Sequence, residues 1–261
     1  MLESVWHQGM GLQWQGGPSS LRVLPVLPSG DSADATAFWQ ACAKLQDQGY
    51  PVLVLDGTEQ ESPAAPGLED LLQPSRGVAF SAVPADTGNA MRVATLPAAR
   101  GMVHLLHRAE QLQQRPVDLL YRYVRNHALV VLWAPAPLLA GMMHGFSQPA
   151  IQLVPAQVRN VISTYRSLKQ LYMGSGLMPR LVAMRPAGYG LDTSLKSLSQ
   201  CAMRHLRTEP LCEQFDPMQA RHLQRWALQC LEHSETVVDP EEAATVGASP
   251  VSSSSAAVWS H

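Results

Sequence analysis

The hydrophobic pattern opens with two apolar segments that flank an amphipathic helix. Leu21–Leu27 and Pro51–Leu55 are almost entirely apolar, which is typical of strands buried on both faces of a sheet. Between them, Thr36–Gln48 repeats its apolar residues at spacings of three and four, and Gly49 is placed to end the helix. Strand, helix and strand in this order predict a parallel βαβ unit with a right-handed crossover.

The alternation of helices and strands continues along the chain. Further helices are predicted over Gly67–Leu72, Arg100–Gln114, Val117–Val124 and Val158–Leu171, and from Asp216-Pro217 to Glu232. Further strands are predicted over Val78–Val83, Ala128–Trp133, Ala150–Val154 and Leu181–Met184. We therefore expect a three-layer α/β fold, in which helices cover both faces of a mostly parallel sheet.

The pattern divides the chain into three parts. Residues 21–235 form the predicted α/β domain, and residues 1–20 form an N-terminal arm that contains two tryptophans. Residues 236–261 lack a pattern that could pack against a core, so we expect this tail to be disordered.

Composition and charge exclude several classes of protein. The chain has 261 residues and a net charge of −2, which argues against a non-specific nucleic-acid binder. Its four cysteines have no CxxC spacing, which favours reduced thiols in a reducing compartment. Residues 126–158 contain no charged side chain, but four prolines interrupt them and the segment does not predict a membrane span. The N-terminus does not resemble a signal peptide, so we expect a soluble, cytoplasmic protein.

The first βαβ unit resembles the MinD/ParA family of P-loop ATPases. That family has a strand, a Lys-Gly-Gly-x-Gly-Lys-Thr-Thr loop, a helix, a glycine and an apolar strand that ends in Asp. Here the loop is Pro28–Thr36, the glycine is Gly49 and the final residue is Asp56. Gly67–Leu72, Phe80–Ala85 and Ile151–Lys169 also look like family segments, and the last is most similar to the flagellar-number regulators FlhG and FleN. The resemblance covers roughly residues 7–207 and implies the same fold.

Several positions that bind nucleotide in the family hold other residues here. Ser29 replaces the signature lysine, Asp34 the P-loop lysine, Ala35 the magnesium-binding threonine, and Trp133 the aspartate of the second acidic strand. The resemblance thus implies a degenerate nucleotide site made of Ser29, Gly30, Asp31, Asp34, Ala35, Thr36, Asp56 and Trp133. Carboxylates in this loop repel a nucleotide, so we expect no ATP cofactor, no catalytic residue and no ATP hydrolysis.

The N-terminal arm carries the resemblance that points to a partner. Gln8, Gly11 and Leu12 match part of the Asp-Gln-Ala-x-x-Leu-Arg segment of the flagellar-number regulators, which engages the GTPase FlhF and assists GTP hydrolysis through its Gln. The resemblance therefore implies a non-catalytic regulator of flagellar number or placement that acts on a FlhF-type GTPase. Without nucleotide we expect a monomer, or a dimer that does not depend on ATP.

Other interpretations of the same residues remain open. Asp31 and Asp34 could form an acid/base or metal pair, although a solvated loop in which one of them caps the next helix is favoured. Asp56 is either a relic of a nucleotide site or a residue that ends its strand. His104 and His107 have metal-ligand spacing, but no further ligands are apparent and we predict no metal.

The rival functions belong to different classes. One is an active nucleotide enzyme with an atypical site, and another is an accessory of a different polar or envelope system, such as partition or cellulose synthesis. The arm could instead pack its tryptophans on its own domain. The helix after Pro217 has a basic amphipathic character that also fits peripheral membrane contact, but only two arginines and a following acidic segment favour packing in the core.

Overall fold

The computed structural model describes residues 20–73, 93–156, 160–186 and 192–238, which form an eight-stranded sheet with helices on both faces. The strands are β1 Leu21–Leu27, β2 Val52–Asp56, β3 Ala94–Pro97, β4 Leu129–Trp133, β5 Ile151–Leu153, β6 Arg180–Met184, β7 Cys212–Phe215 and β8 Glu235–Val237. The helices are α1 Ser32–Asp47, α2 Leu68–Leu72, α3 Ala99–Leu112, α4 Pro116–Val124, α5 Ala136–Met142, α6 Val161–Ser175, α7 Thr193–Leu206 and α8 Ala220–Glu232.

The sheet has the strand order β3-β2-β4-β1-β5-β6-β7, and all of these pairings are parallel. Strands β2 and β4 are buried at every position, which explains why the sequence shows continuous rather than alternating apolar residues. The predicted three-layer α/β fold is confirmed. Because the strands are parallel, their C-terminal ends meet at one side of the sheet, which we call the carboxyl edge; the opposite side is the amino edge.

Strand β8 fills a gap beside the central strand. On the side where β5 lies, β1 pairs only its last two residues, Val26 and Leu27, with β5. The first three residues of β1 instead pair antiparallel with β8, with Leu21 opposite Val237. The sequence did not predict β8, which extends into the segment that we assigned to the tail. Residues 1–19, with Gln8, Gly11 and Leu12, and residues 239–261 lie outside the described residues.

The two faces of the sheet carry separate hydrophobic cores. Helices α2 to α5 cover one face, and α1 and α8 cover the other. Helices α6 and α7 pack over Leu181 and Ala183 of β6, on the side of that strand opposite to α1 and α8. The apolar side of α8, which includes Leu223, Trp226 and Cys230, is buried with α1, so this helix packs in the core as the sequence favoured. Among the described residues, no helix is long and apolar enough to cross a membrane.

The structure corrects several predicted elements. Helix α5 was missed because its prolines were taken as breakers, whereas Pro135 is its N-cap and Pro137 lies in its first turn, where no backbone N–H is required. The last long helix begins at Ala220, and Asp216 accepts a hydrogen bond from the Met218 N–H in the turn before it. Strands β3 and β7 were not predicted, and the predicted strand Val78–Val83 lies outside the described residues.

Candidate functional site at the carboxyl edge of the sheet

The loop between β1 and α1 is short and is held together by its own side chains. Gly30 has a φ of +78°, a left-handed conformation that glycine adopts at little cost. The Ser29 hydroxyl accepts a hydrogen bond from the Asp31 N–H at 3.1 Å and donates one to Asp34 Oδ2 at 2.8 Å. Ser29 therefore ties the loop to the first turn of α1.

Asp31 caps the N-terminus of α1. Its Oδ1 accepts a hydrogen bond from the Ala33 N–H at 2.9 Å, as the favoured interpretation of one Asp in this loop requires. In a P-loop, the N–H groups at this end of the helix bind phosphate oxygens. Here the Asp31 carboxylate of the chain itself occupies one of these N–H groups, where a phosphate oxygen would otherwise bind.

Asp34 lies in the first turn of α1 and is only 5% exposed, so the expectation that it is solvated is wrong. Burial raises the pKa of its carboxyl group above the ordinary value, and the charge of Asp31 acts in the same direction. The hydrogen bond from Ser29 and the charge of Arg185 lower this pKa but do not cancel the effect of burial. Asp34 is therefore a carboxylate whose charge is poorly stabilised.

Two further residues of the predicted site, Ala35 and Thr36, add no charged or imidazole ligand to the loop. The Thr36 hydroxyl donates a hydrogen bond to the carbonyl oxygen of Ser32 at 2.8 Å, one turn earlier in α1. Ala35 is half-buried and has only a methyl group. Among the described residues, no group of three or more His, Cys, Asp or Glu side chains is arranged to hold a metal ion.

Trp133 ends β4 and lies within an aromatic cluster. It is in register with Val26 of β1 and Asp56 of β2, so these three positions share one row at the carboxyl edge. Its ring lies 5.2 Å from the ring of Phe38 and 4.9 Å from that of Trp39, both on α1. The position that the resemblance compares with the family aspartate therefore holds an aromatic side chain that is packed in the core.

Asp56 ends β2 by closing a turn. Its Oδ1 accepts hydrogen bonds from the Thr58 N–H at 2.8 Å and from the Thr58 hydroxyl at 2.6 Å. An Asp that bonds to the backbone two residues further on forms an Asx turn, which is a common way to end a strand. This geometry supports the structural interpretation of Asp56 that the sequence left open.

The sequence analysis did not predict the ion pair between Arg185 and Asp192, which lies close to Asp34. Arg185, which follows β6, donates to both carboxylate oxygens of Asp192 at 2.9 and 2.6 Å and to the carbonyl oxygen of Val154 at 2.7 Å. Asp192 also caps α7 by accepting from the Ser194 N–H, and the hydrogen bonds of Arg185 hold its pKa below the ordinary value. The only local signal was an Asp before the helical pattern of α7.

A buried glutamate was also missed. Glu61 is 4% exposed and accepts hydrogen bonds from the N–H groups of Glu69 in α2 at 3.3 Å and of Arg100 and Gly101 in α3 at 2.8 and 2.7 Å. One carboxylate thus caps two helices. Because two of its donors lie about 40 residues away, no local pattern could have revealed this role.

Carboxylates cap the helices that begin at the carboxyl edge. Asp31, Glu61 and Asp192 each bind the N-terminal amides of helices that begin at this edge, as phosphates or other anions do in related architectures. A groove of about 660 Å³ opens beside α3 and is lined by Arg100, Val103 and Leu138, among others. His104 also lines this groove, but the described residues supply no metal-binding group around it.

No family model and no curated protein matches the chain. Solved structures similar to it include cobyrinic acid a,c-diamide synthase from Mycobacterium smegmatis, with 18% identity, coverage of 82% of this chain and 95% of that chain, and a TM-score of 0.49. A ParA family ATPase from Chlorobium tepidum has 12% identity, coverage of 80% and 98%, and a TM-score of 0.47. The MinC:MinD complex of Aquifex aeolicus has 14% identity, coverage of 78% and 85%, and a TM-score of 0.36. The fold class is the one predicted, and these identities add nothing about activity.

The prediction that the chain takes no nucleotide cofactor is wrong. The M. smegmatis enzyme was solved with a bound ATP analogue and magnesium, and again with ADP and magnesium, so the solved structures similar to this chain include nucleotide-bound ones. In this chain, a nucleotide bound in the P-loop manner would have to displace Asp31 from the Ala33 amide and lie near Asp34. The substituted loop therefore alters the phosphate-binding groups, but it does not by itself exclude a nucleotide.

Proposed function

We propose that this protein is a regulator with a MinD/ParA-like fold that acts by binding protein partners and does not hydrolyse ATP. The proposal rests on the arrangement of carboxylates at the N-terminus of α1. Asp31 caps the helix there, and the buried Asp34 accepts a hydrogen bond from the Ser29 hydroxyl. Phosphoryl transfer requires cations around the transferred group, whereas this loop supplies two carboxylates.

Arg185, a cation close to this loop, does not replace the missing lysine. Arg185 is close enough to Asp34 to lower its pKa, but its guanidinium already bonds to Asp192 and to the carbonyl oxygen of Val154. At the position of the second acidic residue, Trp133 is packed against α1. The proposal concerns turnover, and nucleotide binding without turnover is compatible with it.

Because the chain resembles the flagellar-number regulators, we propose that its partner is a FlhF-type GTPase. The protein would control flagellar number or placement from the cytoplasm, at the cell pole or the inner membrane. Gln8, Gly11 and Leu12 of the arm would form the contact. The arm precedes β1, which starts at the amino edge of the sheet.

Flagellum counts by electron microscopy test this function. A strain that lacks the gene is complemented with the native protein, with Gln8→Ala or with Gln13→Ala, a matched glutamine of the same arm. We expect the deletion and Gln8→Ala to change flagellar number or position, and Gln13→Ala to restore the native count. A deletion strain with normal flagella would contradict the proposed pathway.

A further inference from the structure

The positive charge of the described chain is concentrated in one segment. Residues 160–186 and 192–208 contain seven Lys and Arg residues and a single acidic residue, Asp192, although the whole chain has a net charge of −2. The seven are Arg166, Lys169, Arg180, Arg185, Lys196, Arg204 and Arg207. This segment supplies helices α6 and α7, which pack against each other at one end of the sheet.

Most of these cations are directed to solvent. Arg180 and Arg185 pair with Glu213 and Asp192 within the fold. The other five are exposed, and within the described part of the chain none of them forms an ion pair: Arg166, Lys169, Lys196, Arg204 and Arg207. The exposed acidic residue next to them in the chain is Glu209, after α7. We call the outer surface of these two helices the α6–α7 face.

Exposed apolar side chains alternate with the cations of α6. Ile162 is 74% exposed and Met173 is 70% exposed. They lie on one stripe of the helix with Arg166 and Lys169, because successive members are four, three and four residues apart. The opposite side of α6 carries Leu168 and other core residues.

Helix α7 adds a second stripe of the same character. Met203 is 47% exposed and lies seven residues after the exposed cation Lys196, on the same side of the helix. Arg207, which is also exposed, follows the last residue of α7 as its C-cap. Leu195 and Leu198 of α7 are buried in the same core cluster as Leu168 of α6. The α6–α7 face therefore carries both cations and exposed apolar side chains on each of its two helices.

We propose that the α6–α7 face binds an anionic phospholipid surface. Lipid headgroups attract exposed Lys and Arg, and the boundary below them accepts isolated apolar side chains such as Ile162 and Met173. A planar membrane contacts both helices at once, because they lie side by side. A nucleic acid would use the cations alone, and a protein hot spot would be expected to concentrate its apolar side chains instead of spreading them between charges.

Vesicle co-sedimentation with the full-length protein tests the proposal. The protein is mixed with vesicles of phosphatidylcholine alone, or of phosphatidylcholine with phosphatidylglycerol, and the bound fraction is measured at several salt concentrations. We expect binding to the anionic vesicles only, and binding that weakens as salt screens the charges. Arg166→Glu combined with Lys169→Glu should lower the partition coefficient by about tenfold or more.

A matched pair of cations on α8, across the sheet from α6 and α7, provides the control for the change in net charge. Arg221 and Arg225 of α8 are exposed and four residues apart, so Arg221→Glu with Arg225→Glu makes the same change in net charge. We expect this double variant to bind anionic vesicles within about twofold of the native protein. An equal loss in both double variants would overturn the proposal, because it would show an effect of net charge alone.

The apolar side chains are tested separately. Ile162→Ser with Met173→Ser should lower the partition coefficient several-fold and leave its dependence on salt unchanged, because no charge is altered. Unchanged far-ultraviolet circular dichroism and melting temperature would show that the variants fold. Failure of the native protein to bind anionic vesicles, or its binding to random-sequence duplex DNA in their place, would overturn the proposal.

Discussion

Asp34, in the first turn of α1, lies where a charged carboxylate is poorly stabilised. It lies three residues after Asp31, is nearly fully buried, and receives one side-chain hydrogen bond, from Ser29. Because burial raises its pKa, the folded protein favours the protonated form more than the unfolded chain does. Its contribution to stability is therefore full below the ordinary carboxyl pKa and is lost as the pH rises through the raised value.

Asp34→Asn should stabilise the protein at neutral pH. The amide oxygen can still accept the hydrogen bond from Ser29, while the poorly solvated charge is removed, and we expect a gain of about 1 kcal/mol. The gain should disappear in acid, where Asp34 is protonated in both states. Thermal unfolding measured across this pH range tests the sign, with Asp47→Asn on the exposed end of α1 as the control. A gain in stability that does not change with pH would show that the charge of Asp34 is not its cause.

At the scale of elements, Glu61 joins α2 and α3 to the end of β2. Glu61→Ala would leave the N–H groups of Arg100 and Gly101 without their acceptor, and we expect a loss of about 2–3 kcal/mol in the free energy of unfolding. Glu61→Gln keeps one acceptor oxygen and should cost less. Urea unfolding measures both, with Glu59→Ala, at an exposed position, as the control. Equal stabilities of the Glu59 and Glu61 variants would contradict this role.

Strand β8 gives a second prediction at this scale. A chain that ends at Ser234 would leave the first residues of β1 unpaired on one side and would remove the Glu235 carboxylate, which bonds to Arg115 and to Ser147. We expect a loss of several kcal/mol, because both backbone and charged groups lose buried partners. A chain that ends at Val238 keeps these contacts and serves as the control in urea unfolding. Equal stability of the two chains would show that β8 adds little to the sheet.

The sequence was informative where local pattern and burial coincide. The β1–α1–β2 unit could be predicted because a strand covered on both faces must be apolar at nearly every position. Strands β3 and β7 are partly exposed and only four residues long, so their pattern carries little signal. In the site, the cap at Asp31 follows from local helix chemistry, but the burial of Asp34 and the double cap at Glu61 depend on contacts between distant segments.

For the whole molecule, the proposed function predicts no ATP turnover. Phosphate release from magnesium-ATP should stay at the rate of the buffer, because the β1–α1 loop lacks the cation that stabilises phosphoryl transfer. Calorimetric titration of the same sample reports nucleotide binding independently of turnover. Saturable phosphate release that is lost when Asp31 is changed to Ala would contradict the proposal and would favour an ATPase with an atypical site.

The arm is tested in a reconstituted assay with a FlhF-type GTPase. We expect the native protein to accelerate GTP hydrolysis, and Gln8→Ala to remove most of the acceleration, because the resembling regulators use this Gln in hydrolysis. Gln13→Ala should retain the native effect. Undiminished acceleration by Gln8→Ala would remove this residue from the mechanism.

The antiparallel pairing of Leu21 with Val237 brings the start of β1 and the end of β8 side by side. Because β1 begins beside the point where β8 ends, a short linker could join the two strands without disturbing the sheet. New ends could then be opened in the exposed turn at Gln113 and Gln114, between α3 and α4, to give a circularly permuted protein with the same strand pairing. We expect the fold to tolerate this permuted order of elements, and a label attached ahead of Leu21 or behind Val237 would start from the same edge of the sheet.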